Sequence, residues 1–293
     1  MDHASTQPCF LHLRDISPLL GHISACQSAI LPGERVEWRI GAASVGYLKP
    51  DFADAFCAYF GAAARRDDSG ITLDPAAAPQ LNQAARQLSP DFGFACRGED
   101  FDVRDPATDQ ALAVLDRGAV PRFGVIGAGV HLNGVVRRAE GPALWIAKRS
   151  ASKKLDPGKF DNLVGGGVSA GLTPEATLAK EAAEEAAIPA DLIAKARPVA
   201  RIDYAMERPE GLRRDRLFCY DLTLPAHFTP HAADGEVESF ALWSAQQILQ
   251  TMLDGDAFKF NVNLVLIDWL IRENLLPASA NLALRAALAG ATA

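Results

Sequence analysis

The chain has 293 residues, 49% of them hydrophobic, and its 29 basic and 36 acidic side chains give a formal net charge of −7. These values predict two domains with substantial cores, and the lack of any basic run argues against a nucleic-acid partner. Five scattered cysteines, no signal-peptide pattern and no apolar run near the roughly 18 residues of a membrane span predict a cytoplasmic protein with reduced thiols.

Residues 1–118 are predicted to form a smaller α+β leader domain. In chain order, the spacing predicts a helix over 12–29, strands over 35–40 and 44–48, a helix over 51–60, a strand over 71–73, a helix over 77–88 and a strand over 101–104. Charge, glycine and proline come together at 116–121, which marks the predicted boundary. No pattern in this block indicates a site of its own.

Residues 119–293 are predicted to form the second domain, in which most strands precede the helices. Strands are predicted over 123–136, 143–148, 199–206, 216–224 and 240–243, and later helices over 244–253, 260–274 and 279–293. Mixed strands with helices segregated around them favour an α/β/α sandwich. The last, alanine-rich helix docks either on this domain or on a second subunit, which leaves a homodimer open.

A glycine turn followed by an acidic helix is the most informative segment. Gly165–Gly167 precede a helix that Thr173 is predicted to cap. At about 100° per residue, Glu181, Glu184 and Glu185 share an arc of about 100°. Like charges at this spacing repel by about 0.2–0.5 kcal/mol per pair, whereas Mg²⁺ prefers carboxylate oxygens as ligands. A solvated acidic face is the plainer explanation; the glycine turn beside it favours a metal site.

The same segment resembles the box of the Nudix hydrolases, which runs Gly, five residues, Glu, seven residues, then Arg-Glu-apolar-x-Glu-Glu-x-Gly-apolar. Over residues 166–188, Glu181, Glu184 and Glu185 fall on the family's three metal-binding glutamates. The resemblance implies the Nudix α/β/α sandwich with a mixed sheet. It also implies Mg²⁺-dependent hydrolysis of a phosphoanhydride in a small-molecule diphosphate, with Mn²⁺ as an alternative ion.

Three positions depart from this pattern. Leu172 replaces the first glutamate, Lys180 the arginine and Ala187 the late glycine. Lys180 keeps a positive charge but loses the planar, two-pronged donor of arginine. These departures leave open a catalytically silent domain that binds a ligand or partner. The three retained glutamates favour an enzyme.

A narrower resemblance covers most of the chain. Trp38–Ile40 with 44–50, the strand at 144–150 and residues 157–164 resemble one Nudix subgroup with an N-terminal leader domain. That subgroup includes the Nudix half of fungal thiamine pyrophosphokinases and some plant and bacterial relatives. It implies conversion of damaged thiamine diphosphates to the monophosphate and phosphate. A nucleoside diphosphate derivative is the alternative substrate.

The implied chemistry needs metal ligands and a general base. Glu185 and Glu184 are the principal predicted catalytic residues, and with Glu181 they form the predicted metal-ligand set. A base must lie near the ion without being consumed as a ligand. Glu236, in the loop before the last strand, is favoured over Glu238 for this role. A solvated loop explains this pair equally well.

The predicted substrate-binding residues are the cations and glycines nearest the box. Lys148 and Arg149 end one strand, and alternation lets only one of them face inward. Arg149 is slightly preferred. Lys180, Gly166 and Gly167 complete the predicted set.

Other notable side chains have plainer explanations. Arg213, Arg214 and Arg216 are predicted to be solvated turn residues, and His131 a buried core residue. Aromatic side chains that are candidates for stacking a thiamine-like ring, but that are better explained as core, are Trp38, Tyr204, Phe218 and Tyr220.

Overall fold

The computed structural model describes residues 11–232 and 235–290. Three predictions fall partly or wholly outside these ranges. They concern the lack of a signal peptide in the first residues, the reduced thiol of Cys9, and residues 291–293 of the last predicted helix. The other four cysteines are unpaired, as the scattered spacing predicts. Within the described ranges, no helix combines the length and apolarity needed to cross a bilayer.

The strands fall into a leader group and a larger group. In chain order they are β1 (Val36–Ile40), β2 (Ala43–Leu48), β3 (Ala64–Asp67), β4 (Gly70–Leu73), β5 (Asp100–Arg104), β6 (Ala111–Asp116), β7 (Ile126–Arg138), β8 (Gly141–Arg149), β9 (Phe160–Asp161), β10 (Val164–Gly167), β11 (Arg197–Arg208), β12 (Gly211–Thr223) and β13 (Val237–Ser244). The predicted strand at 123–136 begins and ends a few residues late, at Ile126 and Arg138. Strands β3 and β6 were not predicted, because neither shows a clean apolar alternation.

The helices pack around these strands. In chain order they are α1 (Ser17–Ala25), α2 (Pro50–Phe60), α3 (Leu81–Phe92), α4 (Val120–Phe123), α5 (Pro174–Ala186), α6 (Ala190–Ile193), α7 (Ala245–Asp254), α8 (Val262–Arg272) and α9 (Ala278–Gly290). The predicted helix over 77–88 is wrong at its start. Pro75–Gln80 form a 3₁₀ turn that contains Pro79, and the α-helix begins only after it. Similarly, α1 is shorter than the predicted 12–29.

The leader core forms around a sheet of order β2-β1-β4-β3 and the hairpin β5–β6. Trp38 and Phe52 are fully buried there, and the indole N–H of Trp38 donates to the backbone carbonyl of Phe123 at 2.8 Å. Helix α1, by contrast, packs in the core of the larger sheet against α7, α8 and α9. The division into domains at residue 118 stays a prediction.

The larger sheet has the order β11-β12-β7-β8-β13, with β10 added to β7 and β9 added to β8. Strands β7 and β12 are parallel and the other pairs are antiparallel, so the sheet is mixed. Helices α5 and α6 cover one face, where Leu178 packs near Val130. Helices α1, α7, α8 and α9 cover the other. The predicted α+β class and α/β/α sandwich are confirmed.

Helix α9 packs on its own chain. Ala280 and Leu284 are buried in the same core as α8, while Leu282 faces outward and is 74% exposed. The described part of the predicted C-terminal helix therefore docks on this domain. The homodimer stays a prediction.

Candidate active site

The acidic helix α5 begins as its sequence predicts. The hydroxyl of Thr173 accepts a hydrogen bond from the N–H of Ala176 at 3.2 Å, and Pro174 occupies the first helical turn. This cap satisfies one of the backbone donors that a helix start leaves unpaired. The helix then packs against the sheet, where it contacts β10 and β7. Its acidic residues are thereby held against Gly165–Gly167, which form part of strand β10 and not the turn that the sequence predicts. The chain turns just after them, at 170–171, and residues 165–171 as a whole are called the glycine turn.

Helix α5 ends just before Ala187, the position where the family pattern has glycine. Ala187 follows the helix with φ of 52° and ψ of 38°, the left-handed conformation. Its N–H donates to the carbonyl of Ala182. Glycine adopts this conformation without the clash that a Cβ introduces. The family's late glycine and this Ala187 therefore serve the same turn.

Two of the three predicted metal ligands contact the glycine turn. Glu185 is only 5% exposed, and its Oε2 accepts a hydrogen bond from the N–H of Gly165 at 3.0 Å. Glu181 lies across Gly166 so closely that a Cβ on this glycine would be 2.5 Å from the Glu181 Cγ. A side chain at position 166 would therefore displace Glu181 from its present position.

Burial and neighbouring charge make this pair of carboxylates hard to ionise without a cation. Burial raises the pKa of Glu185 to about 8, with added repulsion from Asp161 and Glu181. Burial likewise raises the pKa of Glu181, although Lys180 partly offsets the effect. Buried carboxylates that repel one another favour a bound positive charge.

The third predicted ligand faces a different partner. Glu184 is exposed, and its Oε2 accepts a hydrogen bond from Lys180 Nζ at 2.7 Å. The same ammonium lies 3.3 Å from Glu181 Oε1. Lys180, where the family has arginine, thus bridges two of the box glutamates. Its predicted role in binding substrate stays a prediction.

A cavity of about 490 Å³ opens beside Gly165–Gly167. Among the residues that the structure describes, three carboxylates line it, from Asp156, Glu210 and Asp215. Cationic side chains from beyond residue 118 outnumber them; these are Arg149, Lys153, Lys154, Arg208, Arg213 and Lys259. A cationic cavity in a protein of net charge −7 is suited to a polyanion.

A buried ion cluster includes two of the lining residues, Arg149 and Lys259. Asp161 Oδ2 accepts a hydrogen bond from Arg149 Nη1 at 2.7 Å and lies 3.7 Å from Lys259 Nζ. Burial alone would raise the pKa of Asp161, but Lys259 and Arg149 hold it below its usual range. Arg149 also donates to two backbone carbonyls. Arg149 therefore lines the cavity, but most of its N–H groups already donate hydrogen bonds within the protein.

His131 is buried, as predicted, but it also lines the cavity. Its Nδ1 lies 2.8 Å from Asn162 Oδ1, and Asn162 Nδ2 donates to Asn133 Oδ1 at 2.8 Å. Burial and the charge of Lys259 lower the pKa of His131 to about 4. The imidazole is therefore neutral at pH 7 and fixes the segment that leads into the glycine turn.

Lys148 and Arg149, the two side chains predicted to bind the diphosphate, point in different directions because side chains alternate along β8. Lys148 is partly exposed and pairs with Glu238 at 2.9 Å, whereas Arg149 points to the cavity. Glu236 pairs with Lys153, a cavity residue. The charge of Glu236 also raises the pKa of Glu181. Glu236 therefore lies in the electrostatic neighbourhood of the box, while its role as general base stays a prediction.

The assignment of three arginines to a solvated turn is wrong. Arg213, Arg214 and Arg216 lie on strand β12 and are partly buried. Arg213 Nε donates to Asp215 Oδ2 at 2.7 Å, and both line the cavity. The alternating run of Arg213, Asp215 and Leu217 on one strand face was the signal that could have placed them.

The stacking candidates separate into core and cavity residues. Trp38, Tyr204 and Tyr220 are buried, and each polar atom has a partner. Phe218 lines a second cavity of about 310 Å³, which lies on the opposite face of the sheet beside Leu172. Three of the four are thus core residues, as expected.

The donor set at the glycine turn fits a hard divalent cation. Carboxylate oxygens suit Mg²⁺, and Glu185 and Glu181 already face the turn with raised pKa values. In the described part of the chain, no three acidic, histidine or cysteine side chains are gathered closely enough to hold a metal. Glu184 would have to leave Lys180 to join the other two. The full three-glutamate set stays a prediction.

Comparison with known proteins places this site in a family. Residues 129–264 match the profile of the NUDIX domain. The chain is 41% identical over 180 residues to the chloroplastic Nudix hydrolase 20 of Arabidopsis thaliana, a match that covers 61% of this chain and 48% of the relative. It is 31% identical over 140 residues to the uncharacterized Nudix hydrolase orf19 of Rhodococcus erythropolis, covering 43% of this chain and 76% of that protein.

The chain spans about half the length of Arabidopsis Nudix hydrolase 20 and of Nudix hydrolase 24, another relative from the same plant. Among solved structures, DR0079 from Deinococcus radiodurans is 25% identical with a TM-score of 0.46, covering 57% of this chain and 97% of its own. The profile spans the glycine turn, the acidic helix and the cavity strands. This chain belongs to the Nudix hydrolase family.

Proposed function

We propose that this protein hydrolyses the phosphoanhydride bond of a small diphosphate with the help of Mg²⁺. The observation that carries the proposal is the contact of Glu185 and Glu181 with Gly165 and Gly166, at the wall of a cation-lined cavity. Carboxylates for a metal and cations for phosphate oxygens thus meet at one turn. Phosphoryl transfer depends mainly on such positioning and charge neutralisation.

Each residue has a part in this scheme. Glu181 and Glu185, joined by Glu184, would hold the ion, which when bound supplies an acidified water and neutralises phosphoryl charge. The oxygen of water adds to phosphorus, the P–O–P bond breaks, and the leaving phosphate takes the electron pair. Glu236 would accept the proton of the attacking water. Arg213 and the other cavity cations would orient the diphosphate.

For the substrate, we propose a thiamine-diphosphate-like compound that is cleaved to the monophosphate and inorganic phosphate. The support is the resemblance of the leader motif at 38–50 and of residues 157–164 to the thiamine-associated subgroup. The alternative is a nucleoside diphosphate derivative. Release of phosphate from oxythiamine diphosphate, compared with release from nucleotide substrates under the same conditions, separates these two proposals.

A silent binding domain is a candidate of another class, and one contact favours it. Lys180 already neutralises Glu184 and lies near Glu181. A lysine in this position competes with a metal ion for the same oxygens. A silent domain would bind its ligand in the same cavity without turnover.

The deciding experiment measures phosphate release from a broad diphosphate panel with Mg²⁺ and with Mn²⁺. Glu185→Gln should reduce turnover by about 100-fold or more, the scale on which general acid–base and metal-bound groups act. Glu140→Gln, at an exposed glutamate in the turn between β7 and β8, should keep wild-type activity. If the wild-type chain cleaves nothing in the panel, the silent-domain proposal replaces this one.

A further inference from the structure

The leader contacts the glycine turn through both backbone and side-chain atoms. The N–H of Ala170 donates to the carbonyl of Asp100 at 2.7 Å, and the N–H of Gly171 donates to Asp102 Oδ2 at 3.2 Å. At Gly167, a Cβ would lie 2.5 Å from the ring of Phe101. The hairpin β5–β6 therefore docks on the loop that joins β10 to the acidic helix.

The same docking brings two leader arginines into the cavity described above. Arg97 and Arg117 line it together with Phe101, and the Arg117 guanidinium lies 5.4 Å from the centre of the Phe101 ring. With these two, the described lining comprises eight cationic side chains and three carboxylates. One quarter of those eight cations thus come from the leader.

A single buried carboxylate fixes the backbone around both arginines. Asp116 is 1% exposed, and its oxygens accept hydrogen bonds from the N–H groups of Arg97 and Gly98 at 2.7–3.0 Å. It also accepts from the N–H of Gly118 at 2.8 Å. The chain segments before and after the hairpin are thereby clamped together. Arg97 and Arg117 consequently start from defined backbone positions at the cavity edge.

The two arginines differ in how their charge is balanced. Arg117 pairs with Glu99 at 2.8 Å. Within residues 11–232 and 235–290, the Arg97 guanidinium has no carboxylate within salt-bridge distance. Partial burial, followed by the charges of Arg117 and Arg213, lowers the pKa of Arg97. Glu99 and Asp116 offset part of this effect without a direct ion pair to Arg97. Cations crowded in this way favour an anion between them.

We propose that residues 97–118 complete the phosphate-binding site, with Arg97 and Arg117 binding phosphate oxygens of a diphosphate substrate. This inference rests on the proposed function for the identity of the ligand. It gives the leader a role: it supplies cations opposite the acidic box. Arginine suits that role because its planar guanidinium can donate two parallel hydrogen bonds to phosphate.

Binding of inorganic pyrophosphate to the full chain tests this, measured by calorimetry in EDTA at low salt so that neither metal nor turnover contributes. Arg97→Gln and Arg117→Gln should each weaken the affinity about tenfold, the scale of one charge-assisted contact. Arg65→Gln is the matched control, since Arg65 is an exposed leader arginine on β3 outside the cavity. It should stay within about twofold of wild type.

Equal pyrophosphate affinity in Arg97→Gln, Arg117→Gln and wild type would overturn the inference, even if the wild type hydrolyses diphosphates. A wild type that binds no pyrophosphate would overturn it as well. The third outcome is a tenfold loss of pyrophosphate affinity in both variants, although the wild type hydrolyses no diphosphate. It would support phosphate binding by Arg97 and Arg117 and would count against the hydrolase proposal. The two proposals can therefore fail separately.

Discussion

Glu185 Oε2 lies 3.0 Å from the backbone nitrogen of Gly165 and accepts its N–H, so that the end of the acidic helix is tied to the start of the glycine turn. A carboxylate has about four lone-pair positions, and one backbone donor occupies only one of them. The remaining capacity of this buried group, beside Glu181, is what a cation would use.

Mg²⁺ or Mn²⁺ should raise the melting temperature of the wild-type chain. An ion that binds only the folded state at about 100 times its Kd stabilises by about 2.7 kcal/mol, which corresponds to several degrees. Glu185→Gln and Glu181→Gln should lose most of this shift, while Glu140→Gln keeps it. Differential scanning fluorimetry with a metal titration measures all four. A full shift in Glu185→Gln would contradict the assignment of Glu185 as a ligand.

Gly166→Ala should impair the site while the fold persists. The added Cβ would stand 2.5 Å from the Glu181 Cγ, and this flexible side chain can move away. We expect weaker metal binding and lower turnover, with a melting temperature near that of wild type in EDTA. Gly21→Ala, in α1 where nothing lies within 4 Å of the new Cβ, is the control. Unchanged metal affinity in Gly166→Ala would show that Glu181 does not act from this position.

The elements of the site were predictable from sequence because their signals are local. Thr173 as a helix cap and the spacing of the glutamates depend only on neighbours along the chain. The prediction of a turn at Gly165–Gly167 is wrong in detail, because pairing with β7, which is distant in sequence, makes these glycines a strand. The cavity cations were not predictable in this way. Arg97 and Lys259 come from segments 162 positions apart, and only tertiary packing brings them to one cavity. Arg213 was misassigned because a charged side chain next to a predicted turn is normally exposed to solvent.

Ala187→Gly should stabilise the protein. Ala187 has φ of 52°, a conformation that costs a residue with a Cβ about 1–2 kcal/mol. Part of the gain is offset because glycine is more flexible in the unfolded chain, so we expect about 0.5–1 kcal/mol. Ala183→Gly, at an exposed position inside the same helix, should instead destabilise by about 1 kcal/mol. Urea denaturation compares them, and opposite signs are the expected result.

Asp161→Asn should be among the more damaging single changes. It leaves Arg149 and Lys259 buried without their shared carboxylate, and loss of one partner in a buried ion pair costs about 3–5 kcal/mol. Asp256→Asn breaks a comparable lysine contact in which Asp256 is 92% exposed, and should cost well under 1 kcal/mol. Chemical denaturation gives both values. Similar costs for the two variants would show that the Asp161 cluster is solvated.

His131 should make the stability of the chain depend on pH in a defined window. Its pKa falls from 6.5 to about 4 on folding, because burial and Lys259 disfavour the charged ring. Between these values the unfolded chain binds a proton that the folded chain does not, so acid favours unfolding. The stabilisation that neutral His131 contributes is about 3 kcal/mol; it is complete above pH 6.5 and is lost towards pH 4.

In His131→Gln the free energy of unfolding should fall less steeply across this window than in wild type. His227→Gln, at an exposed histidine, should keep the wild-type slope. Denaturant titrations at half-unit pH steps measure the difference, and parallel curves for wild type and His131→Gln would mean that His131 is accessible to protons in the folded chain.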